Sequence, residues 1–418
     1  MKLVGKKVLV LLVLLAGVSF LMASSVEMWH SLMGSKRAAG LWLFENFTKQ
    51  TGIQVKEVGI HNILEWHQKV LSAVAIGNPP DLAGNHYYFL PQYVAAGVVE
   101  PLDDYFKEWG IDPEKVFPKA VLETVKYNGK IYGIPLFFEQ RVILWNKDLF
   151  REEGLDPDNF PETWEELIEI ARKLTKWENG KLIRSGLWLP KSTESWVNVF
   201  SILLWGYGGD FFDENGKAIF NSEAGVKALT LIRDMFNKYK LSTPEFGQGT
   251  KGATNPYITR QAVIVLGAIA FIQFVKDYAP DMDFGVTFPP KPKGGKFALP
   301  LDPFVIFTFK NARHKKEALE FLRYLCQKET QVQFAKQCSR LPALIAAFND
   351  PVFTEDPLMK KPVESLNFAK PLPALPQWPE IQDTIFAAIS KVIHENSDPK
   401  KALDEAAKKV NEILAKER

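Results

Sequence analysis

The sequence is poor in the residues that build disulfide frameworks and metal centres. It has 2 cysteines and 6 histidines in 418 residues, which excludes a disulfide-dense scaffold and a cysteine-rich zinc module. The histidines are scattered, and His61 and His67 would not share a face of a helix. We find no Walker A sequence, no nucleophile elbow and no His-Glu-x-x-His motif. The sequence therefore predicts no metal ion and no cofactor.

The sequence also lacks an excess of charge of one sign. Its 51 basic and 49 acidic residues give a net charge of +2, so no overall basic surface points to nucleic acid as a partner. Hydrophobic residues make up 46% of the chain, with 30 Phe and 11 Trp. This supports full-sized hydrophobic cores and excludes a disordered or fibrous protein. At roughly 150 residues per domain, the length suggests two or three domains.

The first residues have the pattern of an export signal. Three lysines precede an apolar run over residues 8–20, and small residues follow from Ala23. This run is shorter than the ~20 residues that a membrane helix needs and is typical of a signal peptide. We predict a signal peptide over residues 1–23 and a periplasmic or extracytoplasmic mature protein. An N-terminal membrane anchor is the alternative.

Export affects how the two cysteines are interpreted. A disulfide between Cys326 and Cys338 becomes possible outside the cytoplasm. Both lie in helical-looking sequence, where buried free thiols fit at least equally well. The sequence leaves both alternatives open.

Strand and helix patterns alternate in the first part of the chain. The patterns predict strands over residues 26–30, 53–60 and 81–85, a helix from Leu41, and a helix over residues 63–75 capped by Asn62. This order is typical of a parallel sheet covered by helices, so we predict an α/β fold. Further local signals are a type I′ hairpin at Asn128-Gly129, a capping box of Thr163 and Glu166, a buried strand over residues 304–309 bounded by Pro303, and a last helix begun by Asp398 and Pro399.

Polar and aromatic residues follow two of the predicted strands. Trp29 and His30 end the first strand, and Asn85, His86 and Tyr88 follow the third. In open α/β sheets ligands bind beyond the carboxyl ends of strands. Flat rings stack on the C–H faces of sugars while polar groups bind hydroxyls, so these positions predict a small-ligand site. The alternative for each aromatic residue is a place in the core.

Two other patterns suggest chemistry with less support. Residues 247–252 (GQGTKG) match the spacing of a dinucleotide fingerprint, but no strand precedes them and no helix follows, which favours a loop. Glu139 and Asp302 follow apolar stretches and could face a cleft. A secreted glycoside hydrolase using these two carboxylates is therefore an alternative of a different class. A third possible function is that of an inert surface or adhesion protein.

Seven short segments together resemble one family. They are residues 28–34 (MWHSLMG), 77–81 (GNPPD), 145–148 (WNKD), 154–157 (GLDP), 163–167 (TWEEL), 284–287 (FGVT) and 340–342 (RLP). In this order and spacing, the chain resembles the extracellular solute-binding proteins of carbohydrate ABC transporters, the group of maltose-binding protein. It is especially similar to the glycerol-3-phosphate-binding branch.

The resemblance implies a two-lobed α/β fold with three hinge crossings and a ligand cleft between the lobes. It assigns residues 24–136 and 287–340 to the N-terminal lobe and residues 137–286 and 341–418 to the C-terminal lobe. The ligand-binding residues that it implies are Trp29, His30, Trp66, Asn85, His86, Tyr88, Glu139, Trp196, Asn198, Gly267, Ile269, Asp302, Arg340, Gln377 and Trp378. Trp66 and Trp196 could instead be core residues, and Arg340 could pair with a structural carboxylate.

One departure from the family pattern bears on the ligand. The phosphate-binding branch carries an Arg just before a late Pro-Gln-Ile motif, whereas residues 374–381 here read ALPQWPEI. A phosphate ligand favours a bidentate cation. We therefore expect a neutral sugar or polyol, with a polyol phosphate such as glycerol-3-phosphate as the alternative. The expected partner is a membrane permease of an ABC importer, and the expected protein is a monomer without enzymatic activity.

Overall fold

The computed structural model of the protein describes residues 24–189, 192–375 and 377–416. The predicted signal peptide, residues 1–23, lies outside the described residues. Within those ranges, none of the helices combines the length and the apolar character that a membrane span requires.

Short strands are distributed along the whole chain. In chain order they are β1 (Ser25–His30), β2 (Gln54–Gly59), β3 (Leu82–His86), β4 (Lys126–Tyr127), β5 (Lys130–Ile131), β6 (Ile134–Glu139), β7 (Arg141–Asn146), β8 (Lys176–Glu178), β9 (Lys181–Trp188), β10 (Ala262–Ala268), β11 (Phe284–Thr287), β12 (Leu299–Thr308), β13 (Leu341–Pro342) and β14 (Ala369–Pro371).

Helices fill most of the remaining chain. They are α1 (Gly34–Thr51), α2 (Ile63–Ala75), α3 (Leu90–Ala95), α4 (Asp103–Trp109), α5 (Pro113–Val116), α6 (Lys119–Leu122), α7 (Lys147–Glu152), α8 (Trp164–Leu174), α9 (Thr193–Gly206), α10 (Glu223–Asn237), α11 (Phe271–Tyr278), α12 (Lys315–Tyr324), α13 (Lys328–Cys338), α14 (Ile345–Phe348), α15 (Pro351–Thr354), α16 (Pro357–Glu364), α17 (Trp378–Glu395) and α18 (Pro399–Ala415).

Two mixed sheets organise these elements into two lobes. The first sheet has the order β13-β6-β12-β3-β1-β2, with β14 added to the start of β12, and the second has the order β11-β7-β10-β9-β8. The central strands β6, β7 and β12 are buried along their whole length, as expected of apolar strands covered on both faces. We call each sheet with its helices a lobe. The predicted α/β class is thus confirmed.

The chain passes between the two sheets more than once. It leaves the first sheet after Glu139, enters the second at Arg141, and returns to the first between β11 and β12. After β13 it ends in α17 and α18, which pack on α9 and α10 of the second lobe. Gln140 therefore joins the lobes directly.

Most local predictions are confirmed. Asn128 and Gly129 have positive φ angles of 49° and 76° and connect β4 to β5, as a type I′ turn requires. Both halves of the capping box between Thr163 and Glu166 form. The side chain of Asp398 accepts a hydrogen bond from the backbone N–H of Lys401 at the start of α18.

Two predicted boundaries are wrong. Helix α1 begins at Gly34, seven residues before Leu41. Residues 34–40 (GSKRAAG) contain no large apolar side chain, so a search for an apolar face misses them. Strand β12 extends back to Leu299 and contains Pro303. A proline is tolerated there because the ladder with β6 is irregular just beyond it, between Phe304 and Val305.

The open question of the cysteines is answered by the structure. Cys326 and Cys338 are both free thiols. Burial raises the pKa of each thiol to about 12, so both are protonated and poor nucleophiles at neutral pH.

Candidate ligand-binding site

The register of β12 against its neighbours brings polar side chains to one edge of the first sheet. β12 is antiparallel to both neighbours and pairs Asp302 with Glu139 of β6 and Phe304 with His86 of β3. His86 is the last residue of β3, so this edge holds the carboxyl ends of the parallel strands. Because the chain crosses to the second sheet at Gln140, the edge lies where the two lobes meet.

Glu139 is the centre of an ion-pair cluster at this edge. Its Oε1 lies 2.7 Å from Nε of Arg340 and 3.1 Å from Nζ of Lys36. Burial alone would raise the pKa of Glu139, but the positive charges of Arg340 and Lys36 outweigh burial and hold that pKa below its usual range. Glu139 is therefore ionised, and the three charges come from β6, from the residue before β13 and from α1.

Asp302 and His86 form a second pair beside this cluster. Nδ1 of His86 lies 2.8 Å from Oδ2 of Asp302. Because a carboxylate only accepts hydrogen bonds, Nδ1 carries a hydrogen and donates the hydrogen bond. The imidazole stacks on Tyr88, with ring centroids 5.4 Å apart and ring planes 15° apart. The edge thus combines flat rings with a carboxylate.

Three buried polar atoms at this edge have no hydrogen-bond partner among the described residues. They are Oδ1 of Asp302, Oε2 of Glu139 and Nδ2 of Asn85. Oδ1 of Asn85 is occupied, because the Ser31 hydroxyl donates to it at 2.7 Å. Leaving such an atom unpaired costs about 1–3 kcal/mol. Two acceptors and one donor suit ligand hydroxyl groups, which both donate and accept.

The end of β10 lies on the second lobe's side of the same junction. Gly267 pairs with Val142 of β7, and the backbone N–H of Ile269 donates to the carbonyl of Gln140 at 3.0 Å. A Cβ on Gly267 would lie 3.2 Å from the Cβ of Phe271. Glycine therefore allows α11 to begin close to the end of the strand.

Three predicted site residues are fully buried within their own lobes. Trp66 and Trp378 are 0% exposed, and their rings pack against Tyr93 and Phe211 respectively. His30 is also 0% exposed, and burial lowers its pKa to about 4. The structure does not bring these side chains to the junction, because each is enclosed by its own lobe. We leave them out of the proposed site.

Trp29 lies on the other face of β1. It lines a groove of about 480 Å³ with α2 and with Asn78 and Pro79, and its indole N–H donates to Oε1 of Glu27 at 2.5 Å. Successive side chains of a strand point to opposite faces, so Trp29 and His30 cannot both face one ligand. The structure does not bring Trp29 together with Asp302 and Glu139.

The remaining predicted residues lie on, or immediately before, helices of the second lobe. Trp196 and Asn198 are buried in α9, where the Trp196 ring lies 5.4 Å from the ring of Phe236 and Oδ1 of Asn198 has no partner among the described residues. Gln377 is half-buried immediately before α17. Ligand contact by these residues stays a prediction.

Sequence reasoning missed one polar residue of the edge, Lys36, and left Ser31, at the end of the first predicted strand, out of the ligand-binding residues. Lys36 lies in the first turn of α1 and binds Glu139, and Ser31 binds Asn85. Both residues follow the end of β1. Because ligands of α/β sheets bind beyond the carboxyl ends of strands, a search of the residues after β1 could have found Lys36.

Within the residues described, the structure does not support a dinucleotide site or a metal site. Residues 247–252 form turns that lead into one short 3₁₀ turn, so the predicted loop is confirmed. In the part of the chain that the structure describes, no group of three His, Cys, Asp or Glu side chains is placed to hold a metal ion.

Comparison with known proteins gives one consistent family. Residues 42–361 match the family of bacterial extracellular solute-binding proteins. An ABC transporter extracellular-binding protein of Pyrococcus horikoshii is 26% identical over 351 residues, covering 81% of this chain and 75% of that protein. The sn-glycerol-3-phosphate-binding periplasmic protein UgpB of Pectobacterium atrosepticum is 22% identical over 417 residues, covering 94% and 91%.

A solved structure agrees over nearly the whole chain. CpMnBP1 with mannotriose bound is 27% identical, with a TM-score of 0.78, and the alignment covers 92% of this chain and 99% of that one. The relatives are binding proteins rather than enzymes. The two-lobed fold and the family that the sequence motifs predicted are thus confirmed: the chain belongs to the bacterial extracellular solute-binding proteins.

Proposed function

We propose that this chain captures a neutral sugar or polyol between its two lobes and delivers it to the membrane permease of an ABC importer. In this role the protein acts as a monomer outside the cytoplasm, after removal of residues 1–23. The edge of the first sheet carries the proposal, because Asp302, Glu139 and Asn85 present unpartnered donors and acceptors where the lobes meet. The likeness to CpMnBP1, solved with mannotriose and with mannobiose bound, supports a saccharide.

The charges at the junction favour a neutral ligand over a phosphate. Arg340 and Lys36 are both engaged by one carboxylate oxygen of Glu139. A phosphate would have to share these cations with the carboxylate, and it would lie close to the negative charges of Glu139 and Asp302. The similarity to UgpB keeps glycerol-3-phosphate as the second candidate.

The same cluster argues against glycoside hydrolysis. A glycosidase needs one carboxylic acid with a raised pKa that protonates the leaving group. The pKa of Glu139 is instead held below its usual range by Arg340 and Lys36. Glu139 is therefore unsuited to be that acid, and because the relatives are binding proteins rather than enzymes, we infer that the ligand is released unchanged.

The proposed mechanism is closure of the two lobes around the ligand. We keep the division into residues 24–136 with 287–340 and residues 137–286 with 341–418. The strands β6 (as far as Glu139), β13 and β14 pair in the first sheet and cross this division. Contacts from both lobes exist only in the closed form, so the ligand favours that form through its higher affinity for it. The closed shape is what the permease recognises.

A ligand panel tests the function. The mature chain would be heated with mannobiose, mannotriose, maltotriose, glycerol and glycerol-3-phosphate, one at a time. A bound ligand at 100 times its Kd stabilises the protein by about 2.7 kcal/mol, so we expect a higher Tm with at least one neutral compound. Stabilisation by glycerol-3-phosphate alone would establish the second candidate, and cleavage of the oligosaccharides over many turnovers would establish the hydrolase.

A further inference from the structure

The second lobe has a groove at a distance from the lobe junction. It has a volume of about 660 Å³ and is formed where the turn between β8 and β9 meets the C-terminal ends of α10 and α17. β10 ends at the junction, because Ala268 pairs with Arg141. β9 is parallel to β10 and begins at Lys181, beside the turn. The groove therefore lies at the opposite end of the second sheet from the junction.

Trp177 forms a fixed aromatic wall of this groove. The residue lies in the edge strand β8 and is 40% exposed. Its indole N–H donates to the carbonyl of Lys240 at 3.1 Å, which holds the ring in one orientation. An exposed ring that is held in place offers a face for stacking at a low cost in conformational entropy.

Polar groups stand around the ring. Ser242 lines the groove and is only 3% exposed, yet its Oγ has no hydrogen-bond partner among the described residues. Nδ2 of Asn237 donates to Oδ1 of Asn396 at 3.1 Å. That bond uses one donor and one acceptor, so the amide pair can still donate and accept further hydrogen bonds. A buried hydroxyl without a partner calls for an explanation, and a bound molecule supplies one.

The charges and size of the groove narrow the class of ligand. No carboxylate is among its lining residues, and Lys240 and His394 are the basic ones. The volume lies within the roughly 300–1,000 Å³ of small-molecule sites. A flat ring with amide and hydroxyl groups matches a sugar ring, which has an apolar C–H face and a rim of hydroxyls.

We propose that this groove is a second saccharide-binding site, separate from the site between the lobes. The ring of a neutral saccharide stacks on Trp177, while its hydroxyl groups bind Ser242 and the pair of Asn237 and Asn396. Such a site would hold one part of a long saccharide at the surface and raise its effective concentration near the cleft.

The test follows the indole of Trp177 directly. The mature chain is labelled with 5-fluorotryptophan, and its ¹⁹F spectrum is recorded during titration with mannotriose and, separately, maltotriose. Trp177→Phe and Trp42→Phe variants assign two of the signals. We expect the Trp177 signal to shift saturably, whereas the signal of Trp42, half-buried on α1 of the other lobe, stays in place.

A serine variant and its control separate binding from folding. Ser242→Ala should weaken binding at Trp177 about 2- to 10-fold, the effect of one hydrogen bond, without lowering Tm, because the deleted hydroxyl has no partner in the fold. The control Ser222→Ala removes an exposed hydroxyl that makes no cap hydrogen bond at the start of α10 and lies outside the groove. It should leave the titration unchanged.

Two outcomes would overturn the proposal. One is no shift of the Trp177 signal at roughly 50 mM saccharide, a concentration that would saturate even a millimolar site. The other is a shift whose midpoint concentration rises about 10- to 100-fold in Asp302→Asn, because the ring would then be reporting events between the lobes. A shift at Trp177 whose midpoint concentration is the same in Asp302→Asn and in the wild-type protein supports the second site, whatever becomes of the proposed function of the cleft.

Discussion

Glu139 holds two cations, and its removal should destabilise the fold. Glu139→Gln keeps the size of the side chain but leaves Arg340 and Lys36 without their counter-charge. Breaking a buried ion pair by removing one partner costs about 3–5 kcal/mol, because the remaining charge stays desolvated. We expect the free energy of unfolding, measured by urea denaturation at neutral pH, to fall by about this amount.

An exposed ion pair serves as the control for this effect. Glu45→Gln removes the partner of Lys49 on the surface of α1, and pairs of this kind contribute about 0–1 kcal/mol. Equal losses of stability in Glu45→Gln and Glu139→Gln would contradict the role given to the buried cluster.

The buried imidazole of His30 should make stability depend on pH. Burial lowers the pKa of His30 from 6.5 to about 4, so in mild acid the unfolded chain binds a proton that the folded chain does not. The stabilising contribution of neutral His30 is present above about pH 6.5 and is lost as the pH falls towards 4. In His30→Gln, the free energy of unfolding should depend less steeply on pH between these values. Urea denaturation across the range measures this, and an unchanged slope would contradict the assignment.

Asp302 and Trp29 should differ in their effect on ligand binding. Asp302 presents an unpartnered acceptor at the lobe junction, whereas Trp29 lines a groove on the other face of β1. A hydrogen bond to a charged group contributes roughly 1.5–3 kcal/mol, so Asp302→Asn should weaken binding of the ligand found in the panel about 10- to 100-fold. Trp29→Ala should leave its Kd unchanged. Calorimetric titration measures both Kd values. A larger loss of affinity in Trp29→Ala than in Asp302→Asn would place the ligand in the groove beside Trp29 and not at the lobe junction.

At the scale of elements, β11 depends on the absence of a side chain at Gly285. A Cβ there would lie 2.1 Å from the ring of Trp145 on the neighbouring strand β7. Trp145 cannot easily move, because its indole N–H donates to the carbonyl of Pro157 at 2.9 Å and its ring packs 4.4 Å from that of Phe160. Overpacking of this kind costs about 1–3 kcal/mol. We expect Gly285→Ala to lower Tm.

The tryptophan itself provides the control for this prediction. Trp145→Leu removes the ring, so adding Gly285→Ala in that background should cost much less than it costs alone. The double-mutant cycle measures the difference as a coupling energy. Additive effects would show that the ring is not what excludes a side chain at position 285.

Elements whose signals are local could be predicted from the sequence. The turn at Asn128-Gly129 and the cap at Thr163 each depend on neighbouring residues, and both form as expected. The faces of buried strands and helices could not be predicted in this way. Trp29, Trp66 and Trp378 are aromatic residues near candidate strand or helix ends, but sequence pattern alone does not distinguish a ring that faces a cleft from one that faces a core.

The site as a whole depends on long-range register. Glu139, Asp302 and Arg340 are far apart in sequence and meet because β6 pairs with β12 on one side and with β13 on the other. The apolar stretches before Glu139 and Asp302 indicated that both could face a cleft, whereas only the resemblance to a family supplied Arg340. Lys36 was missed because its role comes from its contact with Glu139, on a strand more than a hundred residues away.

The two lobes should approach each other when a ligand binds. The chain crosses directly between the sheets at Gln140, and the polar edge of the first sheet lies at this junction. A ligand that contacts both lobes binds the closed form more tightly and shifts the population towards it.

We therefore expect small-angle scattering to show a smaller radius of gyration at saturating concentrations of the ligand found in the panel. Asp302→Asn, under the same conditions, should keep the radius of the free protein until the ligand concentration is raised in proportion to the weaker Kd. An unchanged radius in the wild-type protein, with saturation established by calorimetry, would mean that the lobes bind the ligand without closing.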